Sequence, residues 1–244
     1  MFFFDFFLGK KVLKSSLLEG VEHFFTTREF PLTKGDREDL SEETEINRKK
    51  LIEEFKIKSL KTAKQTHSEH ISVVKEGQDF YDDTDALISN LENSTMILNF
   101  ADCTPIILYS YKDNAGALVH AGWRGTEKEI VYKTVLKMKE EFNVLPENLT
   151  AVIGPSIGIE CFEVSEDVFN KLIKPNYPEN TYKIKDRKFY CDLKQINKFQ
   201  MESAGVVKID TTNYCTSCFS DIFFSYRKEN GKTARHSSIL KIRG

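Results

Sequence analysis

A single domain of mixed α and β structure is the fold class these 244 residues predict. Strand-like and helix-like segments alternate along the chain with no linker-like break between them. Two continuous apolar runs, Met96–Phe100 and Pro105–Tyr111, read as strands buried on both faces. A strongly amphipathic helical stripe follows Gly125. The length is enough for one large domain with a substantial core.

The elements follow in order. Residues 1–28 are rich in Phe, Leu and Val and read as short strands. The opening Met1-Phe2-Phe3-Phe4-Asp5-Phe6-Phe7-Leu8 is expected to be a strand or edge hairpin. It has no basic stretch before the apolar run, Asp5 interrupts that run, and no small-residue cleavage site follows. Residues 29–45 carry Pro31, Gly35 and many charges and are expected to form a surface loop. Asn47–Phe55 reads as a helix with Leu51, Ile52 and Phe55 on one side. Ile71–Val74 is a short strand, residues 75–84 an acidic loop, and Ala86–Ile88 the start of another strand. Lys112-Asp113-Asn114-Ala115-Gly116 has turn chemistry, so Pro105–Tyr111 and Ala117–His120 form a hairpin. Convergence of Cys103 with His120 is expected to need a bulge or bend, marked by Pro105. Thr126-Glu127-Lys128-Glu129 reads as a capping box opening one helix, with Ile130, Val131, Thr134, Val135, Met138 and Phe142 on its buried stripe.

Composition excludes several classes of function. Lys and Arg number 35 against 37 Asp and Glu, giving a net charge of −2, so no basic field exists to draw in nucleic acid or an anionic membrane. No apolar run has the length of a membrane helix. Five cysteines in a chain this long point to free thiols in a reducing, cytoplasmic setting.

The candidate chemistry clusters around Ala101-Asp102-Cys103 and His120-Ala121-Gly122-Trp123-Arg124-Gly125-Thr126, with Gln65-Thr66-His67 upstream. Two histidines and a cysteine make three good zinc ligands, the number a catalytic zinc takes while leaving a position open. Arg124, beside a helix start capped by Thr126, forms a candidate anion site; the plainer alternative pairs it with an acidic surface neighbour. Asp102 is either a general acid or a group that orients a metal ligand, and its adjacency to Cys103 favours the second. His67-Ser68-Glu69-His70 lacks the spacing of a helical zinc pair. Cys215-Thr216-Ser217-Cys218 has no second CxxC to complete a four-thiolate site, and as a redox dithiol it does not open a helix after a strand as a thioredoxin motif would. Cys161 and Cys191 read as small buried apolar residues, and His23 and His236 as ordinary polar groups on strands or loops. Trp123 either covers the site or packs.

These motifs carry a family resemblance. The site segments recur in order with Asp85-Ala86-Leu87-Ile88, Ile153-Gly154-Pro155-Ser156-Ile157-Gly158, Cys161-Phe162-Glu163-Val164, Asp192-Leu193 with Asn197, Cys215-Thr216 and Phe223-Phe224-Ser225-Tyr226-Arg227. The chain resembles the laccase-domain family, also called the multicopper polyphenol oxidase or purine nucleoside phosphorylase family, from about Val21 onward. That resemblance implies packed mixed β-sheets flanked by helices, similar to a bacterial toxin's cysteine-hydrolase domain. It implies zinc at His67, Cys103 and His120, and phosphorolysis of adenosine, inosine, guanosine and 5′-methylthioadenosine with adenosine deamination as a second activity. Within that reading Gln65, Arg124 and Thr126 are expected to bind substrate, and Cys103, His67, His120 and Asp102 to act in catalysis. After Thr26-Thr27-Arg28 the family carries a Gly-rich loop where this chain has a shorter, charged segment.

Two rivals use the same residues. A thiol hydrolase acting on amides of peptidoglycan precursors would take Cys103 as nucleophile and His120 or His67 as base. A copper-dependent polyphenol oxidase needs several copper centres and hence many imidazoles, and the chain has five histidines. That count leaves room for copper only as a substitute for zinc at a single centre.

Overall fold

The chain, described over Met1–Gly244 by a computed structural model, lays down sixteen strands and five helices. The first stretch holds β1 (Phe2–Phe7), β2 (Lys10–Ser15), β3 (His23–Thr26), α1 (Ser41–Phe55), β4 (Lys61–Ala63), β5 (Ile71–Val73), β6 (Phe80–Tyr81) and β7 (Ala86–Ser89). Next come β8 (Thr95–Phe100), β9 (Thr104–Ser110), β10 (Ala115–Ala121), α2 (Trp123–Glu127), α3 (Ile130–Phe142) and β11 (Leu149–Ile153). The last part adds β12 (Glu163–Val164), α4 (Glu166–Leu172), β13 (Tyr182–Lys185), β14 (Lys188–Cys191), α5 (Leu193–Ser203), β15 (Lys208–Thr211) and β16 (His236–Lys241).

Two mixed sheets dominate this α+β fold. One has the order β1-β2-β3-β16-β8-β4-β6, the other β15-β11-β9-β10-β7-β5, and a small antiparallel sheet β12-β14-β13 stands apart from both. The two-residue alternation of a strand divides the core into layers. On β8, Met96, Leu98 and Phe100 meet Ile107, Tyr109 and Leu118 of the facing sheet, while Ile97 points outward to Leu51 and Phe55 of α1. On β9, Ile106 and Leu108 point the other way, to Ile130, Val131, Val135 and Met138 of α3. The order is therefore helix, sheet, sheet, helix. Both apolar runs belong to strands with two buried faces, as their composition predicts.

Three expectations need correction, and one open alternative, the place of Trp123, resolves to packing. Residues 29–45 are not all surface, since Phe30 and Leu32 are fully buried against α1, and that helix already begins at Ser41. No bulge interrupts the β9–β10 ladder: His120 pairs with Pro105 and Ala121 with Thr104, and Cys103 comes near His120 simply because it is the residue just before β9. The capping box does not form. Thr126 lies inside α2, fully buried, with its hydroxyl accepting from Asn197 Nδ2 at 2.9 Å. Glu129, at φ 61°, breaks the chain between α2 and α3 and pairs with Lys174 at 2.8 Å. Finally, Trp123 packs with the cluster around Leu172 and Tyr177 and does not line the site.

Gly154 closes one end of the sandwich. Its amide donates to the Pro105 carbonyl at 2.9 Å, and a Cβ there would lie 2.3 Å from Phe25, itself fully buried on β3. Gly154→Ala is expected to overpack this joint and cost about 1–3 kcal/mol. The cost should read as a lower urea midpoint at constant m-value. An unchanged midpoint would show that Phe25 has room to move and that the sheets are not closely packed here.

Candidate active site

One buried carboxylate organises the site. Asp85, fully buried just before β7, accepts from the amides of Thr66 (3.2 Å), His67 (3.1 Å) and Ser68 (2.7 Å) and from the Ser68 hydroxyl (2.8 Å). Its Oδ1 also lies 2.7 Å from Nδ1 of buried His120. Burial by itself would raise this carboxyl, but the bond and charge of His120 and the bonds from Ser68 hold it well below the usual carboxylate range. The contact fixes the His120 tautomer and leaves Nε2 free to face the cavity.

The three expected ligands converge. Donor atoms of His67, Cys103 and His120 all lie within 4.8 Å of one another, and the two imidazole rings meet edge to face with centroids 4.9 Å apart. His67 sits at φ 61° and Asp102, next to Cys103, at φ 84°. Strained backbone at two of the expected site residues is what a functional geometry held by its surroundings looks like. Gly122 makes the space: a Cβ there would stand 2.9 Å from Cys103 Sγ and 3.0 Å from His67 Cδ2. Without metal, burial alone would raise the Cys103 thiol, but His120 and His67 bring it down to about 6. Burial would likewise lower His120, yet the Cys103 charge and Asp85 raise it to about 9. The donor set suits a borderline-soft cation.

The ligands open onto a cavity of about 560 Å³, within the range of small-molecule sites. Gln65 lines it, but its amide donates to the Asn99 carbonyl and accepts from the Asn99 amide, both at 2.8 Å. Asp102 also lines it, and its oxygens accept from the Thr216 hydroxyl (2.6 Å) and the Arg227 amide (2.7 Å). The carboxylate that bonds an imidazole of the donor cluster is Asp85, while Asp102 bonds Thr216 and Arg227. Arg124 and Thr126 lie outside the lining; the Arg124 guanidinium stacks on Trp123 at 4.3 Å, and Thr126 is buried beneath. The expected anion site at their helix start fails because α2 is five residues long and ends before α3 begins. His70 faces Asp83, His23 bonds the backbone of Ser15 and Val21, and His236 is buried beside Phe100 and Phe223, so none joins the ligand cluster.

Sequence reasoning missed Asp85 as the hub, although it lies within a quoted motif. It also assigned no role to Arg227, Arg235, Asn99, Phe162 and Tyr226, which line the cavity. Arg227 donates to the carbonyls of Cys161 (3.0 Å) and Glu163 (3.2 Å), lies over the Phe162 ring at 5.6 Å and forms no salt bridge, although its charge reaches the Glu163 carboxylate. Arg235 is partly balanced by Asp36 at 3.3 Å.

A four-layer α+β sandwich with a His/Cys/His donor set at one open end defines the class of protein. The chain belongs to the multi-copper polyphenol oxidoreductase laccase family, which it matches over residues 23–243. A purine nucleoside phosphorylase of Clostridium acetobutylicum is 33% identical over 236 residues, covering 95% of this chain and 98% of that one. Another from Bacteroides thetaiotaomicron is 30% identical over 260 residues, covering 96% of each. Among solved structures, the hypothetical protein YfiH of Bacillus licheniformis superposes with a TM-score of 0.86 at 27% identity, covering 95% of this chain and 96% of the other. YlmD from Geobacillus stearothermophilus gives 0.86 at 25% identity over 99% of both chains.

Asp85→Asn is expected to weaken metal binding by roughly 10–100-fold, the usual cost of losing the partner of a ligating histidine. Competition against a chelator measures it, and unchanged affinity would remove Asp85 from the site's support. A carboxyl held low in the fold stabilises above its unfolded value of about 3.9 and ceases to as pH falls through its folded value. The acid limb of stability against pH should therefore be flatter in Asp85→Asn.

Proposed function

We propose that this chain, acting as one laccase-like domain over residues 1–244, is a zinc-dependent purine nucleoside phosphorylase. Its substrates on this reading are adenosine, inosine, guanosine and 5′-methylthioadenosine, with adenosine deamination as a second activity. The observation that carries it is one cavity holding the His67/Cys103/His120 donors, two aromatic rings and the carbonyl-held Arg227 cation. The names of its relatives support the same reaction class. No helix is long and apolar enough to cross a membrane, and five free cysteines suit a reducing, cytoplasmic setting.

His67, Cys103 and His120 would hold the zinc, with Asp85 fixing His120 and Gly122 leaving room for the sulfur. Bound there, zinc supplies a Lewis acid with an open position, the requirement deamination shares. Phe162 and Tyr226 supply aromatic surface in the cavity wall for a flat purine, with the Arg227 and Arg235 guanidiniums over the rings at 5.6 and 5.9 Å. Asn99 and Asp102 present polar groups to the sugar. Arg227 replaces Arg124 as the phosphate-binding cation, because its remaining N–H groups lie in the cavity wall and can hold an oxyanion in a fixed orientation. In phosphorolysis a phosphate oxygen bonds to C1′ as the bond to the purine nitrogen breaks and that nitrogen takes the electron pair. Copper replacing zinc at the same three donors would account for slow phenol oxidation.

One observation favours a second reading. In the metal-free site the lowered Cys103 thiol and raised His120 describe a thiolate–imidazolium pair at neutral pH, the resting state of a cysteine hydrolase. Amide bonds of peptidoglycan precursors would be its substrates.

Zinc-loaded protein should release base from inosine or adenosine only when phosphate is present; no release from any of the four nucleosides would overturn the first reading. Arg227→Ala should cut phosphate-dependent turnover by roughly 10–100-fold, the cost of one charged hydrogen bond, with Arg227→Lys restoring only part and Arg124→Ala nearly wild type. Equal losses in phosphorolysis and deamination would give Arg227 a structural role instead. Alkylation of Cys103 in metal-free protein should follow a pH midpoint near 6, and zinc should block it. A metal-free protein that hydrolyses amides, and loses that activity on alkylation, would favour the hydrolase.

A further inference from the structure

Cys161 is not the small buried apolar residue its sequence context suggests. It is half-buried on the turn after Gly158, and its sulfur lies 3.4 Å from Sγ of exposed Cys218. With buried Cys215 it completes a second cluster in which all three sulfurs lie within 4.8 Å of one another. The CxxC that lacked a partner in the sequence finds its third thiol 57 residues upstream. We propose that Cys161, Cys215 and Cys218 form a second metal site, separate from the His67/Cys103/His120 centre, that takes a thiophilic d10 cation, zinc by preference.

Two features beyond the thiols point to a cation. The Gly158 amide donates to Cys215 Sγ at 3.1 Å, a bond that favours thiolate. Lys194, only 6% exposed, places its ammonium against the same turn, 3.1 Å from the Tyr214 carbonyl. A buried ammonium needs nearby negative charge. Asp192, which also caps α5 through the Gln195 amide, and the sulfurs of Cys215 and Cys218 are the negative groups that act on it. Three thiolates around a divalent ion leave one excess negative charge, which Lys194 neutralises. Around copper(I) they would leave two, and so charge favours zinc over copper(I). Exposed Cys218 marks an open side where water can complete a tetrahedron. Binding of the cation would release the thiol protons to solvent.

The site clamps two walls of the main cavity. Cys161 precedes Phe162, and Cys215 and Cys218 lie on the segment that leads to Tyr226 and Arg227, all lining residues. The segments already touch through Arg227 and the Cys161 carbonyl, and Thr216 within the CxxC bonds Asp102. A metal across them would fix the distance between the aromatic rings and the cation.

The test uses the full chain, purified under reducing conditions without chelator, with Cys103→Ala removing thiolate from the first centre. Cadmium titration of Cys103→Ala should still give a thiolate-to-metal charge-transfer band, saturating at about one equivalent per chain. Adding Cys218→Ser, at an exposed position that the fold tolerates, should weaken that site by more than the roughly 100-fold expected from losing a mere supporting partner. Cys191→Ala, outside the cluster, should leave it unchanged. Excess zinc should compete for the band, and its binding should slow hydrogen exchange in residues 157–163 and 214–227. The proposal falls if Cys103→Ala shows no thiolate band, if Cys218→Ser binds as tightly, or if exchange in both segments is indifferent to metal. A protein that is two mass units light through a Cys161–Cys218 disulfide and that binds no metal after reduction would make the cluster a redox pair instead.

Discussion

The site depends on a negative charge taken out of water. Asp85 is fully buried, and a bare carboxylate there would be untenable without several donors. Three consecutive amides from Thr66 to Ser68, one hydroxyl and one imidazole supply them. The same bonds that make the charge tolerable bend the 66–68 loop, set His67 at its positive φ and orient His120. Stability and function are thus carried by one group. Removing it would release the loop and the imidazole together.

Around that hub the sandwich supplies distances. The β9–β10 ladder runs without interruption to Ala121, which places Gly122 opposite Cys103 where a side chain would collide with the sulfur. The cores on either side are made of interlocking Ile, Leu, Val and Phe, so the strands that carry Cys103 and His120 have little freedom to drift.

Much of this was legible in the sequence, and the rest was not for identifiable reasons. The paired buried strands, the hairpin and the His67/Cys103/His120 set declare themselves through apolar runs, turn chemistry and donor type. The capping box at Thr126 did not, because local pattern cannot see that Asn197, on α5 far along the chain, takes the hydroxyl. Arg124 looked like the anion binder from adjacency to the motif, but a guanidinium with a tryptophan next door stacks on it. Arg227 carried no local mark of its place in the cavity, since the carbonyls that hold it come from another loop. Cys161 and Cys218 met for the same reason. Tertiary contact between distant loops leaves no period in the sequence.

Gln65 has one further consequence for how such a chain tolerates change. Its amide bonds the Asn99 backbone on both sides, continuing by side chain the ladder that β4 makes with β8. The His67 loop is therefore indexed to a rigid strand by the residue two places before His67. Insertions in the exposed 75–79 turn can alter the rim of the molecule without disturbing that index. A single insertion between Ala63 and Gln65 would shift it by one rung and turn His67 away. Variation of this protein is thus partitioned, with wide latitude in its exposed turns and almost none over the three residues that lead from β4 to His67.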